Sequence, residues 1–357
     1  MMRIAIICKT FLKGGAEKQA LTLARLLMEK GVYVCLVNWH GNKVDPDNLN
    51  SIKEKTYGYF PLRGTPPGKL NRFRKILKEE KITIVLSYLT LSNFVSGVSK
   101  LFNKNITSIG GIRNEKLPYY KFLFEKMIHN YLNDATVFNN YSAKDKFEKR
   151  GFDPEKVHVI QNAIEFNKTD VLAGSDNGEI KIITVGRFVK QKDYITALNS
   201  FRSLVERNRN KNLIYYIVGY GPLEKEVRSL ARSFKIEDRI KIFINPPDVA
   251  GILKKSDIFL STSLFEGVSN SIMEAMVQGL PVVATNVGDN NYLIKDGYNG
   301  YLVPCKDVNS IVDRLEYLSE SEDARKEFGK NSLSVIESSF SATKLLENYL
   351  SLFAKFQ

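Results

Sequence analysis

The feature that most constrains the fold of this chain is a repeated alternation of short apolar runs with longer amphipathic segments. The short runs have the length and composition of buried strands, and the longer segments place apolar residues three and four positions apart, as amphipathic helices do. Such alternation predicts a doubly wound α/β sheet of parallel strands. In the first half, strands are predicted at 3–8, 32–39, 82–89, 134–140 and 157–162, and helices at 16–31, 70–81, 117–133 and 142–151.

The alternation stops and then begins again. From residue 163 to residue 179 the periodicity is lost and Asp, Asn and Gly accumulate, which is typical of a linker. Beyond it, strands are predicted at 180–186, 212–219, 240–243, 257–263, 281–286 and 299–303, and helices at 193–208, 222–234, 271–279 and 308–320. A length of 357 residues fits two ordinary domains. We therefore predict domains at 1–165 and 180–340, a linker at 166–179, and a final helix within 341–357 that packs back on the first domain.

Composition narrows the class of protein. Apolar residues make up 43% and charged residues 25% of the chain, as in a globular enzyme. Cys8 and Cys35 lie inside apolar runs and are expected to be buried, and the absence of CxxC argues against a zinc site or a disulfide framework. No apolar run approaches about 18 residues, and the apolar start before Lys9 is too short for a span. The sequence therefore predicts a cytoplasmic protein without a transmembrane helix.

The positive charge is unevenly distributed. The whole chain carries 52 Lys and Arg against 39 Asp and Glu, whereas residues 1–165 alone carry 27 against 15. Nearly all of the excess therefore lies in the first half. A basic half-molecule favours an anionic partner, such as lipid headgroups, a phosphorylated acceptor or nucleic acid, and charge alone does not choose among them. An ordinary solvated surface would explain the same charge.

Two glutamates lie eight residues apart in the segment FEGVSNSIMEAMVQGLPVVAT (265–285). Glu266 follows a predicted strand, and Glu274 lies in the first turns of the next helix. Open α/β sheets bind ligands beyond the carboxyl ends of their strands, so both carboxylates are expected there. A carboxylate can accept two hydrogen bonds from a vicinal diol of a sugar. A helix cap plus a surface glutamate is the alternative interpretation.

The residues between these glutamates favour ligand binding. The helix opens near Val268, Ser269 and Asn270, whose backbone N–H groups could hold a diphosphate at the helix N-terminus. Gly267 would let a ligand approach the backbone closely. This one segment could therefore contact sugar hydroxyls and phosphates together.

Two cations follow the first strand of the second half, in VGRFVKQKD (185–193). Gly186 permits a tight turn, and Arg187 and Lys192 lie in the loop that leads into the next helix. Two fixed cations beside a helix start would neutralise a diphosphate in the ground state and as a leaving group. Ordinary surface basic residues are the alternative.

Two further glycine pairs lie at predicted strand ends. Gly14 and Gly15 open the first helix and would let the backbone reach a phosphate or a sugar. The pattern is not GxGxxG and no acidic residue ends the next strand, which argues against a dinucleotide site. Gly219 and Gly221, in VGYGPLEKE, are expected to line the same crevice as the two cations, with a plain tight turn as the alternative.

Taken together, these motifs resemble those of the family-4 glycosyltransferases, and the resemblance covers nearly the whole chain. It implies the GT-B fold, in which two Rossmann-like domains face each other. It implies that Arg187 and Lys192 hold the donor diphosphate, Glu274 binds the ribose and Glu266 faces the transferred sugar, while Gly15 contributes from the first domain. It also implies retention of anomeric configuration without a metal or other cofactor.

The chain departs from many relatives near the acceptor, where they place a histidine. His40, His129 and His158 are the histidines of the chain, and each is expected to be structural. The corresponding segments are SYLTLSN (87–93) and GGIRNE (110–115), so Ser87, Asn93 and Arg113 are the candidates for acceptor contact. Arg113 could pair with an acceptor phosphate.

We therefore expect a retaining hexosyl- or N-acetylhexosaminyltransferase that uses a nucleotide sugar, a UDP-sugar by resemblance. Its acceptor would be lipid-linked or polysaccharide, in bacterial surface polysaccharide synthesis. The enzyme would sit peripherally on the anionic inner face of the cell membrane, with no nucleic acid partner. Two alternatives remain from the sequence: a nucleotide-sugar epimerase of the same fold, and a non-catalytic protein that binds sugar or nucleic acid.

Overall fold

The computed structural model describes residues 2–12, 14–113, 117–165, 178–208 and 212–356. The chain divides into two compact units, of which the first is Met1–Ala163 with Phe340–Gln357 and the second is Ile164–Ser339. Most of the predicted linker, residues 166–177, lies outside the described residues.

A seven-stranded parallel sheet forms the centre of the first unit. Its strand order is β3-β2-β1-β4-β5-β6-β7, so the direction of winding reverses between β1 and β4, which pair directly. The strands are β1 (Arg3–Cys8), β2 (Tyr33–Asn38), β3 (Gly58–Pro61), β4 (Ile84–Tyr88), β5 (Thr107–Ile112), β6 (Ala135–Phe138) and β7 (Val157–Val159). The helices are α1 (Gly15–Glu29), α2 (Pro46–Lys55), α3 (Pro66–Glu79), α4 (Thr90–Phe102), α5 (Tyr119–Met127), which continues as a π-helical turn over Ile128–Leu132, and α6 (Tyr141–Glu148).

Both faces of this sheet are buried, as a doubly wound fold requires. Along β1, Ile4 and Ile6 pack in the cluster that contains α1, whereas Ala5 and Ile7 pack in the cluster that contains α3. The alternation follows from the two-residue period of a strand. It also explains why β1 is apolar at nearly every position, and why Cys8 is buried, as predicted.

A six-stranded parallel sheet forms the centre of the second unit. Its order is β10-β9-β8-β11-β12-β13, so the winding reverses between β8 and β11. The strands are β8 (Glu179–Val185), β9 (Asn212–Gly219), β10 (Ile240–Ile244), β11 (Ile258–Ser261), β12 (Val282–Thr285) and β13 (Gly300–Val303). The helices are α7 (Tyr194–Arg207), α8 (Glu224–Ser233), α9 (Val249–Lys254), α10 (Asn270–Val277), α11 (Asn290–Leu293), α12 (Val308–Glu320) and α13 (Glu322–Val335).

The last helix, α14 (Ala342–Ala354), belongs to the first unit although it follows the second in the chain. Leu345, Leu346, Tyr349, Leu352 and Phe353 are buried in the cluster formed with β1 and α1. Their spacing of three and four residues is that of an amphipathic helix, and the face they form is covered by the first unit.

The α/β class and the doubly wound sheets predicted from the sequence are confirmed, but several elements were missed. Ser87 and Tyr88 of SYLTLSN end β4, inside the predicted strand 82–89, but the last residues of SYLTLSN begin α4 and GGIRNE begins inside β5, and neither α4 nor β5 was predicted. Helix α4 was overlooked because small polar residues interrupt its apolar pattern, and those serines are buried. Over the described residues, no helix is both long enough and apolar enough to cross a membrane.

Candidate active site

The candidate site lies where the winding of the second sheet reverses. Strands β8 and β11 are parallel neighbours, so the loops that follow Val185 and Ser261 leave the same edge of the sheet side by side. Ligands of open α/β sheets bind at this position because the two chain directions diverge there and leave a crevice. The loop after β8 carries Arg187 and Lys192, and the loop after β11 carries Glu266.

The loop after β8 is held by two buried aromatic side chains. The backbone N–H of Phe188 donates to the Tyr220 carbonyl at 2.8 Å, and its ring packs edge-on against Tyr194. The Tyr194 hydroxyl donates to the Gly186 carbonyl at 2.9 Å. These contacts fix the backbone on either side of Arg187, whose own side chain is exposed.

Lys192 and Glu266 form an ion pair between the two loops. Lys192 Nζ lies 2.5 Å from Glu266 Oε1, and the two side chains are only 15% and 11% exposed. Ser263 Oγ donates to the same carboxylate oxygen at 2.8 Å, and Gln191 Nε2 lies 3.4 Å from Oε2. The sequence placed Lys192 and Glu266 in the site separately, and the structure shows that they pair and neutralise each other.

Further hydrogen bonds join the two loops into one piece. The Thr262 hydroxyl shares its one proton between the carbonyls of Lys192 and Asp193, with Oγ1 2.9 and 3.0 Å from the two oxygens, and the Leu264 N–H donates to the Gln191 carbonyl at 2.8 Å. Asp193 has a φ of 46° and caps α7 through the Thr196 N–H. A non-glycine residue in this conformation is strained, and such strain is maintained where the surrounding contacts determine the backbone. The sequence patterns did not indicate the contribution of Thr262 and Gln191.

Gly219 and Gly221 lie at the end of the neighbouring strand β9, as predicted, but a packing reason explains them. Both have positive φ values, of 156° and 153°. A Cβ on Gly219 would stand 1.9 Å from the Gly186 carbonyl oxygen, and one on Gly221 would stand 2.6 Å from the Phe188 carbonyl oxygen. The lack of a side chain at these two glycines therefore lets the segment 219–222 pack directly against the backbone of the loop that carries Arg187 and Lys192.

The N-terminus of α10 completes this edge. Ser269 occupies the N-cap position and is buried, yet among the described residues its side chain makes no capping hydrogen bond. The first N–H groups of α10, beginning with Asn270, are thus not capped by Ser269, and the helix dipole favours an anion there. Glu274 lies one turn into the helix and is half-buried.

The Gly267–Val268 segment before the helix is packed against the loop after β12. A Cβ on Gly288, which has a φ of 55°, would stand 2.0 Å from the Glu266 carbonyl oxygen. Thr285 Oγ1 donates to the Ser263 carbonyl at 2.6 Å. The β11 loop is therefore supported from both sides, by the β8 loop and by the β12 loop.

In the first unit, Gly14 and Gly15 open α1, the helix that follows β1 in the chain. Gly14 is the N-cap, and Gly15, the first helical residue, has open space where a Cβ would stand. Glu17 lies in the first turn and accepts a hydrogen bond from Thr10 Oγ1 at 3.2 Å. The helix start is therefore accessible at Gly15, and a carboxylate lies next to it.

The structure does not support direct contact of Ser87 and Asn93 with an acceptor. Both side chains are fully buried. Ser87 Oγ donates to Asn93 Oδ1 at 2.9 Å, and Asn93 Nδ2 lies 3.2 and 3.3 Å from the two oxygens of Glu125. Leu89, with a φ of 72°, turns the chain directly from β4 into α4, so this segment packs against β5 and α5 instead of forming an open loop.

Arg113 lies at the carboxyl end of β5 and is already partnered. Its Nη1 lies 3.3 Å from Asn162 Oδ1, and its Nη2 donates to the Tyr349 hydroxyl at 3.0 Å. The guanidinium carbon lies 4.8 Å from the centroid of the Tyr88 ring. In this structure Arg113 links β5 to α14, and its role toward an acceptor phosphate remains a prediction.

The histidines have structural surroundings. His129 is buried, with Nδ1 2.8 Å from Thr136 Oγ1 and Nε2 3.0 Å from the Asp153 carbonyl oxygen. Burial lowers the pKa of His129 to about 4, although the Asp153 carbonyl acts in the opposite direction. Burial also lowers the pKa of His158. Neither is placed to exchange protons with a substrate near neutral pH.

A group of lysines surrounds His40 at the carboxyl edge of the first sheet, which the sequence motifs did not indicate. The His40 N–H donates to the Lys9 carbonyl at 3.0 Å, and the Lys43 N–H donates to the His40 carbonyl at 2.7 Å. Lys69 Nζ lies 5.5 Å from the Trp39 ring. Burial, followed by Lys69, Lys9 and Lys43, lowers the pKa of His40. The position of Lys9 directly after a predicted strand was the only signal in the sequence.

Two family models match consecutive parts of the chain. Residues 13–168 match the model described as Glycosyltransferase Family 4, and residues 167–335 match the model described as Glycosyl transferases group 1. Together they cover residues 13–335, which include every motif of the candidate site. The chain is a family-4 glycosyltransferase. This membership sets aside the interpretation as a non-catalytic binding protein.

The glycosyltransferase is similar along its length to curated bacterial enzymes. It is 26% identical over 305 residues to the UDP-Gal:alpha-D-GlcNAc-diphosphoundecaprenol alpha-1,3-galactosyltransferase of Escherichia coli, an alignment that covers 78% of the chain and 77% of the relative. It is 24% identical over 365 residues to the GalNAc-alpha-(1->4)-GalNAc-alpha-(1->3)-diNAcBac-PP-undecaprenol alpha-1,4-N-acetyl-D-galactosaminyltransferase of Campylobacter jejuni, which covers 99% of both chains.

Solved structures share the fold of this glycosyltransferase. Anabaena HepE in complex with UDP superposes with a TM-score of 0.84 at 14% identity and covers 99% of this chain and 100% of its own. The lipopolysaccharide outer core galactosyltransferase WaaB in its apo form gives a TM-score of 0.80 at 18% identity, with coverage of 99% and 100%. The predicted GT-B fold class is therefore confirmed.

Proposed function

We propose that this glycosyltransferase moves a hexosyl or N-acetylhexosaminyl group from a UDP-sugar to a lipid-linked acceptor in the synthesis of a bacterial surface polysaccharide. The observation that carries the proposal is the convergence of Arg187, Lys192, Glu266 and the α10 N-terminus where the second sheet reverses its winding. The printed names of the two curated relatives, which both act on diphosphoundecaprenol-linked sugars, support the acceptor class. The name of the first and the UDP bound to HepE support uracil as the base.

In the proposed donor complex, Lys192 and Arg187 neutralise the diphosphate. Lys192 would exchange part of its contact with Glu266 for a phosphate oxygen. Arg187, which is exposed in the same loop, would bind the diphosphate beside it. The N–H groups that open α10 would bind the same anion. Glu274 would accept hydrogen bonds from the ribose diol, and Glu266 would accept them from the transferred sugar.

Transfer would proceed with retention and without a metal. The bond between the anomeric carbon and the diphosphate oxygen breaks, and a bond to the acceptor hydroxyl oxygen forms on the same face of the sugar. The acceptor proton passes to the departing diphosphate oxygen, so no protein base is needed. The two cations and the helix N-terminus stabilise the negative charge that develops on the leaving group, and they do so most strongly in the transition state.

The lysines around His40 are proposed to attract the acceptor. A lipid-linked sugar carries a diphosphate, and Lys9, Lys43 and Lys69 supply three positive charges at the ligand-binding edge of the first sheet. Their effect is electrostatic and would act mainly on acceptor affinity.

Calorimetric titration of UDP, ADP and GDP in EDTA tests the donor site. We expect one of the three, UDP, to bind the wild type, and Glu274→Ala to weaken that binding about 10- to 100-fold because hydrogen bonds to a carboxylate are lost. Glu237→Ala removes an exposed carboxylate before β10, at the opposite edge of the sheet, and should bind as the wild type does. If no nucleoside diphosphate binds, the proposed function is wrong.

The stereochemistry needs a separate measurement. The anomeric coupling constant of the product, measured by NMR after reaction of a UDP-sugar with a diphosphoprenol-linked acceptor, should show the configuration of the donor. An inverted product would contradict the retaining mechanism while leaving the donor site intact. Activity that disappears in EDTA and returns with a divalent ion would contradict the metal-free mechanism.

A further inference from the structure

Helix α5 and the π-helical turn after it carry large apolar side chains on their outward side as well as on their inward side. The inward side buries Phe122 and Ile128 together with Glu125 and His129, and the two polar residues are only 2% and 1% exposed. The outward side exposes six large apolar or aromatic residues, and we name this set the aromatic face: Tyr119, Tyr120, Leu123, Phe124, Met127 and Tyr131. A helix on an ordinary surface presents polar and charged residues to water, so the apolar outward side is the unusual feature of this segment.

The inward polar groups fix which side faces out. Glu125 accepts hydrogen bonds from Asn93, and His129 contacts Thr136 and the Asp153 carbonyl. If the helix rotated to bury the aromatic face, Glu125 and His129 would leave these partners. The partners would then remain buried without their hydrogen bonds, which is costly. The exposure of the aromatic face is therefore imposed by the packing of the first unit.

The aromatic face continues onto the neighbouring helix. The Phe124 ring lies 5.2 Å from that of Phe94 in α4, and Leu101 and Phe102 at the end of α4 are 61% and 60% exposed. The Arg74 guanidinium lies 3.9 Å from the Phe102 ring. Contiguous apolar surface of this kind on a globular protein marks an interaction site.

The charges beside the aromatic face are positive. Lys121 is exposed between Tyr120 and Phe122, and Arg150 is exposed with its guanidinium 3.6 Å from the Phe122 ring. The only acidic residue from Tyr119 to Leu132 is Glu125, which is buried. Two copies of this chain that met at this face in an isologous dimer would bring Lys121 and Arg150 close to their own counterparts, which disfavours a second copy as the partner.

The geometry points to the aromatic face as the site where the enzyme inserts into an anionic phospholipid bilayer. Tyrosine and aliphatic side chains on one side of a helix, flanked by lysine and arginine, are the composition that lies in the interface of a membrane. The aliphatic members Leu123 and Met127 favour lipid over nucleic acid, whose bases would stack on aromatic rings alone. The inference deepens the proposed function, on which it rests for the lipid-linked acceptor, by naming the surface that brings the enzyme to that acceptor.

Co-sedimentation of the full chain with vesicles tests this inference. The vesicles are phosphatidylcholine alone or phosphatidylcholine with phosphatidylglycerol. We expect the wild type to bind the anionic vesicles more strongly than the neutral ones. The triple variant Leu123→Ser, Met127→Ser, Tyr131→Ser should bind them at least about tenfold more weakly, because it removes much of the apolar area that enters the bilayer. Lys121→Gln should weaken only the binding to anionic vesicles, by about fivefold.

A matched variant and a second measurement keep the outcome clear. Ile195→Ser with Tyr317→Ser removes two exposed apolar side chains of the second unit and should bind vesicles as the wild type does. UDP titration of every variant reports separately on the proposed donor site and on folding. Equal vesicle binding by the triple variant and the wild type, or no vesicle binding by the wild type, would overturn the inference even if UDP binds. The inference would also be overturned if the wild type were a dimer that the triple variant converts to a monomer while vesicles have no effect on either protein. A triple variant that loses binding to single-stranded RNA but keeps its binding to lipid would overturn it as well.

Discussion

Lys192 Nζ and Glu266 Oε1 lie 2.5 Å apart, and they join the loops that follow two adjacent parallel strands. The two side chains are only 15% and 11% exposed, so the stability of the pair depends on both charges. Breaking a buried pair by removing one partner leaves the other charge uncompensated. The carboxylate therefore holds the ammonium in position, and a diphosphate bound beside it would compete for the ammonium.

Replacement of Lys192 by Ala should lower kcat/KM about 10²- to 10³-fold, because the variant loses a cation that stabilises the leaving diphosphate and leaves Glu266 without its counter-ion. Steady-state kinetics with a UDP-sugar measures the loss. Lys190→Ala is the control, since Lys190 is an exposed lysine of the same turn. Equal activity of the two variants would exclude Lys192 from the proposed role.

Replacement of Lys9, Lys43 and Lys69 by Gln should raise the KM for a diphosphate-linked acceptor, while the affinity for UDP stays unchanged. The three lysines lie together at the edge of the first sheet, and screening makes their attraction dependent on ionic strength. We expect the wild-type KM to rise with salt and the variant KM to respond less. A variant that has the wild-type KM and salt dependence would show that these lysines do not attract the acceptor.

Gly219→Ala should destabilise the second unit by about 2–3 kcal/mol, because the new Cβ would stand 1.9 Å from the Gly186 carbonyl oxygen at a φ of 156°. Hydrogen exchange of the amides in β8 and β9 measures the effect, which should extend to the loop that carries Arg187. Gly15→Ala adds the same methyl group where no atom lies within 4 Å and should leave stability nearly unchanged. Normal exchange in the Gly219 variant would contradict this packing.

Tyr349→Phe should destabilise the first unit by about 1–2 kcal/mol, because Arg113 Nη2 would lose its partner in α14. The chain has one tryptophan, Trp39, which is buried in the first unit, so its fluorescence in urea reports on that unit. Tyr317→Phe, in the second unit, is the matched control. If the Tyr349 variant unfolds at the wild-type urea concentration, the link between Arg113 and α14 does not contribute to stability.

Acidification from pH 7 to pH 5 should cost about 2 kcal/mol through His129, whose pKa falls from about 6.5 in the unfolded chain to about 4 in the folded one. The unfolded state binds the extra proton, so stability is lost as the pH falls from 6.5 towards 4. Burial raises the pKa of Glu125, and that shift has the opposite sign, since it makes the fold gain stability on acidification.

The contribution of His129 is therefore isolated by a comparison of the wild type with His129→Gln, in which Glu125 is unchanged. Urea unfolding followed by Trp39 fluorescence at pH 5 and pH 7 gives the four free energies of unfolding. The pH-dependent loss should be smaller in the variant by about 2 kcal/mol. The same loss in both proteins would show that His129 is protonated in the folded state.

Some of this protein could be predicted from its sequence because the governing interactions are local. The strand β1 and the helix α1 follow from apolar periodicity, and the two-residue and 3.6-residue periods are properties of the chain itself. The order of strands and helices then determined two doubly wound units. The positions of Arg187, Lys192 and Glu266 in the loops after two strands followed from the same pattern, because a loop after a parallel strand lies at the ligand-binding edge.

Other features depended on contacts between residues far apart in the chain. The sequence could not show that Lys192 pairs with Glu266, 74 residues later, or that Gly219 is a glycine because Gly186 lies against it. Ser87 and Asn93 were expected at an open edge, but the turn at Leu89 and the buried Glu125 place them in the core. The aromatic face of α5 could not be predicted for the same reason. Its sequence fits an ordinary amphipathic helix, and only the structure shows which side of that helix is buried. Local patterns determine which element forms, whereas only the packing of distant elements decides which side chains meet and which remain in water.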